Sequence, residues 1–509
     1  MYIGEEILSK EATFLLLLFL LAVGVWTLTI KIKPANALSS TIYILPNGTI
    51  SGTLSIYTSD NVTYVFTANI NNQSVVVERN NTIIDGNTHT LQGTGSSSGD
   101  GITLSSVGNV TLENTTVTDF QYGIYLYSSS HINLLDNNVT QNYYGIYLIS
   151  SPSAIMHNNE MNDNTYNLAI FGSQLSEYAD SIDASNLINE RPVYYYVNQS
   201  GLLLKPLTYP KIGYLALVNC TDITVENLTL TNNGQGVLLV NTRNSTITKN
   251  NLTDNIAGID LENSQQNNLL ANNVTANSYW GISSHYSSNN TLSNNNASRN
   301  GYDGIGLYSS ANNTVSNNTA SQNANQGIEL YSCLNNIVSS NTETKDLLNG
   351  VDLDNSTHNT LSNNTLFGNL RSGITFDYSS NNNTVSYNNV IENHVGIWLS
   401  ISSYNVIYNN NIINNTQQVS SDGIRNSWDY GSRGNYWSDY HTKYPNATEI
   451  GSSGIGNTPY VVDANNIDNY PFMSQVVTPE FQSFVLLPLF MMAMLFAAAI
   501  YQRKRSLNS

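Results

Sequence analysis

The chain has 509 residues, 18 Lys and Arg against 36 Asp and Glu, and a formal net charge of −18. Only 11% of its residues are charged, where an ordinary soluble domain carries roughly 25%. The 40% hydrophobic share excludes a disordered acidic tail, and the acid excess excludes a nucleic-acid binder, which needs clustered Lys and Arg. Asn, Ser, Thr, Gly and 33 Tyr take the place of the charges, a composition suited to strands and turns.

Thr13 to Ile30 is an almost unbroken apolar run, and Ala35-Asn36-Ala37 has the A-x-A form of a signal-peptidase site. Residues 1–37 therefore read as a signal peptide, or as an uncleaved anchor because Glu5, Glu6 and Glu11 outnumber Lys10 before the run. Residues 38–100 should supply capping strands and an opening coil.

From Gly101 a Gly followed by Ile or Val recurs at Gly123, Gly145, Gly236, Gly258, Gly281, Gly304, Gly327, Gly350, Gly373 and Gly396, with consecutive steps of 22 or 23 residues. Such a period means a solenoid. With each Gly as offset 0, offsets 1, 3, 11 and mostly 16 are apolar, as in Ile305, Leu307, Val315 and Leu366. Alternation in short segments means strands with apolar side chains inward. Asn fills offset 14 (Asn272, Asn295, Asn318, Asn341, Asn364), offset 9 (Asn267 to Asn382) and offset 19 (Asn255, Asn277, Asn300). Asn tolerates the left-handed conformation of a sharp corner, and stacked amides can bond up and down a ladder. The expected fold is all-β: a right-handed parallel β-helix over 101–418, with an irregular insertion about 167–212 and hydrophobic helices at the termini. Cys220 and Cys333 fall five coils apart, roughly 24 Å, so both are expected free and buried.

Residues 419–476 should cap the rod. Beyond them Phe484 to Tyr501 is apolar over 18 residues and is followed by Arg503-Lys504-Arg505, so 477–509 reads as a membrane anchor with a basic cytoplasmic tail. Everything between the two ends should lie outside the cell, as sequons at Asn47, Asn61, Asn227 and Asn273 suit.

Four stretches resemble the NosD-like, or CASH-type, β-helix family: Asn81 to Gln92, the Gly-Ile repeat, Asp180 to Leu228, and Gly434-Asn-Tyr-Trp-Ser-Asp-Tyr440 with Gly454 to Asp463 and Asn469 to Phe472. The tail from Pro479-Glu480-Phe481 resembles the PEF-type sorting signal of archaeal surface proteins. The family resemblance implies a periplasmic copper-linked accessory role. Copper(I) favours grouped Cys, Met and His. The best local group is Met156, His157 and Met161, whose offsets put both Met in the core and His157 outside.

Offsets 2 and 4 of each coil should point outward. Across five successive coils offset 4 reads His285, Tyr308, Tyr331, Asp354 and Asp377, with Glu329 and Asp352 beside it at offset 2. Rings suit the apolar faces of sugars, and carboxylates bind hydroxyls or Ca²⁺, for which Asp354 and Asp377 are the candidates. The same pair could serve a glycosidase, and Arg371 is the nearest base for a lyase. No catalytic residue is assigned and no cofactor is required. The reading is a membrane-anchored, glycan-binding surface rod; the alternatives are a NosD-like copper accessory and a polysaccharide lyase or hydrolase.

Overall fold

The structure, a computed structural model, describes residues 40–477; the terminal apolar runs, the Ala35-Asn36-Ala37 site and the basic tail lie outside the described residues. Among the described residues no helix is long and apolar enough to cross a membrane. The chain winds as a right-handed parallel β-helix. A typical coil has a long first strand (Asn349–Asp354) and two short ones (Thr360–Ser362 and Thr365–Phe367), each paired in parallel with its counterparts one coil away. The winding starts well before residue 101: Ser40–Ile44 pairs with Gln73–Val77, which pairs with Asp100–Ser105.

The corners differ from expectation in one respect. The left-handed residue is not the ladder Asn but the residue before it: Ala271, Asn294, Asn317, Ser340 and Asn363 have φ between 55° and 58°. The ladder Asn itself is buried and inward. Asn318 Oδ1 accepts from the Asn295 N–H at 2.9 Å, and its Nδ2 donates to Leu292 O at 2.9 Å and to Asn341 Oδ1 at 3.0 Å. This unit repeats from Asn250 through Asn272, Asn295, Asn318, Asn341 and Asn364 to Asn388, Asn410 and Asn435. Buried amides satisfied in this way offset the cost of left-handed Ala or Ser. The offset-9 ladder passes through Asn383 rather than Asn382, because Tyr378 and Ser379 both turn left-handed and add a residue to that corner.

A further ladder, of hydroxyls, runs through Thr242, Ser264, Ser287 and Ser310, and through Ser356, Ser380 and Ser402. Cys220 and Cys333 occupy places in it: both thiols are free and buried, and Cys333 Sγ donates to Leu307 O at 3.2 Å.

Two cores run through the molecule, one for an N-terminal stack and one for a C-terminal stack. The chain reverses between them. Leu187–Ile188 pairs antiparallel with Arg191–Val197, which then opens the C-terminal stack by pairing in parallel with Tyr214–Val218. This antiparallel turn lies within the stretch 167–212 expected to be irregular. Strands Tyr214–Val218 and Gln235–Val240 are buried on both sides. Leu215, Leu217, Val237 and Leu239 face their own core, while Tyr214, Ala216, Val218, Leu238 and Val240 close the end of the N-terminal one. Gln235 replaces a strand there: its side chain donates to Ile170 O at 2.9 Å and its Oε1 accepts from the Tyr214 hydroxyl at 2.9 Å.

The other end is plugged by the segment carrying the Gly434 to Tyr440 motif. Trp428, Trp437, Tyr440 and Tyr460 join the C-terminal core, and the Trp437 and Tyr460 rings stack at 4.1 Å. Asp468 fastens the plug by accepting from Trp437 Nε1 at 2.8 Å and the Asn435 N–H at 2.7 Å. Gly434 lies against Asp468 so closely that a Cβ would meet its Oδ1 at 1.8 Å.

Candidate functional site where the two stacks meet

The first strands of the C-terminal stack set the outward residues in strict register. Glu262, His285, Tyr308, Tyr331, Asp354 and Asp377 are successive partners in one column. Asp260, Ser283, Gly306, Glu329, Asp352 and Thr375 form the neighbouring one.

Tyr308 is not an open platform. Its ring lies back over Gly306, where a Cβ would come within 2.6 Å of it, and His285 stacks on it at 4.6 Å with 13° between planes. Its hydroxyl oxygen accepts from Trp280 Nε1 at 2.8 Å and lies 2.7 Å from Asp303 Oδ2 and 3.0 Å from Glu329 Oε2. One hydroxyl proton cannot serve both carboxyls. Burial, then the hydrogen bond and charge of Asp303, push Glu329 well above the usual carboxylate range, so it holds a proton that bridges the group. The accessible rings lie to either side. Tyr331 is 47% exposed, and Tyr279 stacks on Tyr302 at 4.4 Å with its edge against Trp280.

Further along, Asp352 is buried, with Oδ2 accepting from Gln326 Nε2 at 2.8 Å and Asn349 Nδ2 at 3.0 Å. Burial lifts it to about 7. Asp354 and Asp377 are neighbours in register and both are raised by burial, with Arg371 opposing the rise at Asp377. The Arg371 guanidinium lies 4.6 Å over the Trp398 ring.

The sequence reading missed what lies at the head of the column. The step from Gly258 to Gly281 is also 23 residues, so Glu262 and Asp260 were readable at offsets 4 and 2. With His285 they are, among the described residues, the one group of three or more His, Cys, Asp and Glu close enough to hold an ion. Asp354 and Asp377 gain no such third ligand. A tyrosine patch was missed as well. On the first face of the N-terminal stack Tyr122 and Tyr144 stack at 4.7 Å, and Tyr144 and Tyr166 at 5.5 Å. Its signal was the Tyr-Gly-Ile-Tyr-Leu of both 122–126 and 144–148. The patch reaches the C-terminal stack where Tyr166 meets Ser278, next to Tyr279 and Trp280. Tyr166 itself is buried at this joint.

The copper(I) donors do not converge. Met156 and Met161 are buried in the N-terminal core, while His157 points outward and pairs with Asp183 at 2.7 Å. Burial pushes the Cys333 thiol to about 12, which keeps it protonated. These residues do not fit a soft-metal site. A cavity of 390 Å³ lined by Arg191, Tyr209 and Lys211 lies away from the column and carries no acid group.

The profile of the family described as "Periplasmic copper-binding protein (NosD)" matches residues 206–342 and 300–442, together just under half of the chain. That of the "Right handed beta helix region" matches 41–191. The chain is a parallel β-helix protein that is similar to the NosD family over residues 206–442. No curated protein matches the sequence. Among solved structures, the periplasmic alginate epimerase AlgG is 15% identical, with 76% of this chain and 83% of that one covered and a TM-score of 0.36. The A-module of the Azotobacter vinelandii mannuronan C-5 epimerase AlgE6 is 14% identical, covering 64% and 88%, at 0.29. The GH87 α-1,3-glucanase catalytic unit from Streptomyces thermodiastaticus strain HF3-3 is 14% identical, covering 70% and 61%, at 0.34. Likeness this distant says nothing of ligand or activity.

Proposed function

We propose that this NosD-like β-helix is an extracytoplasmic glycan-binding protein whose ligand lies along the first face, from the tyrosine corner onto the acidic column. The cluster of Tyr279, Trp280 and Tyr302 against His285, at the head of a column of half-buried carboxyls, carries the reading. Rings offer flat apolar surface to sugar rings, and carboxyls accept from their hydroxyls. Among the described residues, Arg371 is the basic side chain felt by Asp352 and Asp377 against several acids, so the face suits a neutral glycan and repels a polyuronide. The family's description as periplasmic agrees with the extracytoplasmic address read from the sequence. Anchoring through 477–509 belongs to the same proposal.

The test is affinity electrophoresis of the full-length chain in gels containing neutral polysaccharides. The double change Tyr279→Ala with Tyr302→Ala removes the stacked pair and should weaken retention about fivefold, taking about 1 kcal/mol for such a ring pair. Equal retention by this variant and the wild type would defeat the reading. A hydrolase is favoured by one observation, the meeting of the Glu329 and Asp303 carboxyls at the Tyr308 hydroxyl. In that case Glu329→Gln would keep binding and abolish release of reducing ends, whereas a binding protein releases none to begin with.

A further inference from the structure

We propose that Asp260, Glu262 and His285 form a binding site for one divalent ion of the zinc class at the corner where the two stacks meet. One ligand atom from each lies within 4.8 Å of the others. Small side-chain rotations bring that spacing within reach of an ion bound about 2.0–2.2 Å from each atom. The β-helix dictates the placement. Glu262 and His285 are direct partners in register, and Asp260 is two residues before Glu262 on the same face of the same strand.

The surroundings are those of an oriented ligand set. Asp260 is 4% exposed, its Oδ1 accepts from Ser283 Oγ at 2.7 Å, and the Gln235 side chain also bonds the carboxyl, which together fix its orientation. Stacking on Tyr308 and an edge contact with Trp280 at 5.7 Å hold the plane of the His285 ring. Neither salt bridge of the described residues involves these acids. A buried and a half-buried carboxyl are thus held together with no Lys or Arg salt bridge, a costly arrangement that a bound cation would relieve.

The donor set selects the ion. One imidazole and two carboxylates suit Zn²⁺; imidazole is a poor ligand for Ca²⁺, and copper(I) would need thiolate or thioether. Three protein ligands leave at least one coordination position for water or a ligand hydroxyl. Neither the family's description nor the column read from the sequence includes this trio.

The test is equilibrium dialysis of the chelator-stripped full-length chain against Zn²⁺, with circular dichroism to verify folding. The wild type should bind one equivalent that millimolar Ca²⁺ does not displace. Glu262→Gln and His285→Gln should each weaken binding at least tenfold, and His157→Gln, on the N-terminal stack, should leave it unchanged. Bound Co²⁺ should show visible bands that Glu262→Gln loses; this variant keeps the His285 stack and decides the matter if His285→Gln unfolds. No stoichiometric binding by the wild type, equal affinity in folded Glu262→Gln, or loss of the ion through His157→Gln would each overturn the proposal.

Discussion

A single side chain does most of the work at each corner. Asn318 accepts twice from Asn295 and donates to Leu292 and Asn341, all within the core. Asn318→Leu keeps the volume and orphans the Asn295 N–H and Leu292 O, at roughly 1–3 kcal/mol for each group. Chemical denaturation should show the loss, and a wild-type midpoint would contradict the ladder. Cys333→Ser should instead be nearly neutral, because the hydroxyl ladder accepts either atom at that place. The Asn columns were legible because they repeat at fixed offsets. The left-handed residues were not, since Ala271, Arg299 and Lys345 carry no such preference and adopt it only because the ladder beside them is satisfied. Tyr308 was misread for a similar reason. Its outward offset is visible in the sequence, but the space over Gly306 that lets its ring lie flat is not.

Strands explain what the repeat could not show. The period implies one winding direction throughout, yet Asn189 and Glu190, with φ of 46° and 63°, reverse the chain and begin a second stack. Both-sided burial of Tyr214–Val218 was the readable sign, a fully apolar strand where other coils alternate. Gln235 holds this joint. Gln235→Leu strips Ile170 O and the Tyr214 hydroxyl of their partner and should cost about 1–3 kcal/mol. Hydrogen exchange should rise in Tyr166–Phe171 before it rises in the middle of either stack; uniform exchange would mean that the joint is not separately held. The acidic and aromatic column was legible as register, and its continuation to Glu262 and Asp260 lay one coil beyond where it was read.

At the scale of the molecule, the acids that lack charge partners set the response to pH. Burial lifts Asp180, Asp352 and Asp468 to about 7 and Asp346 to about 8. All lie above the value near 3.9 of an unfolded Asp, so folding takes up protons between about pH 4 and pH 8. The stability they contribute is complete below about pH 4 and lost as pH rises through 7 to 8. With metal chelated, the melting temperature should therefore be higher at pH 5 than at pH 8, and the reverse order would contradict the burial of these groups. Glu343 sharpens the point. It occupies a core position between Ala320 and Leu366, neither carboxyl oxygen has a partner, and burial pushes it far up. Glu343→Leu should raise stability at pH 8 by about 1–4 kcal/mol and flatten the pH dependence.

Whether the first face receives a neutral glycan is decided by retention of the wild-type chain on a matched panel of polysaccharides. Neutral glucans and mannans should be bound with little sensitivity to salt, because rings and hydrogen bonds carry the contact, while alginate and polygalacturonate should be excluded by the acidic column. Binding confined to the polyuronides, or to no glycan on the panel, would mean that this face is not a neutral-glycan site.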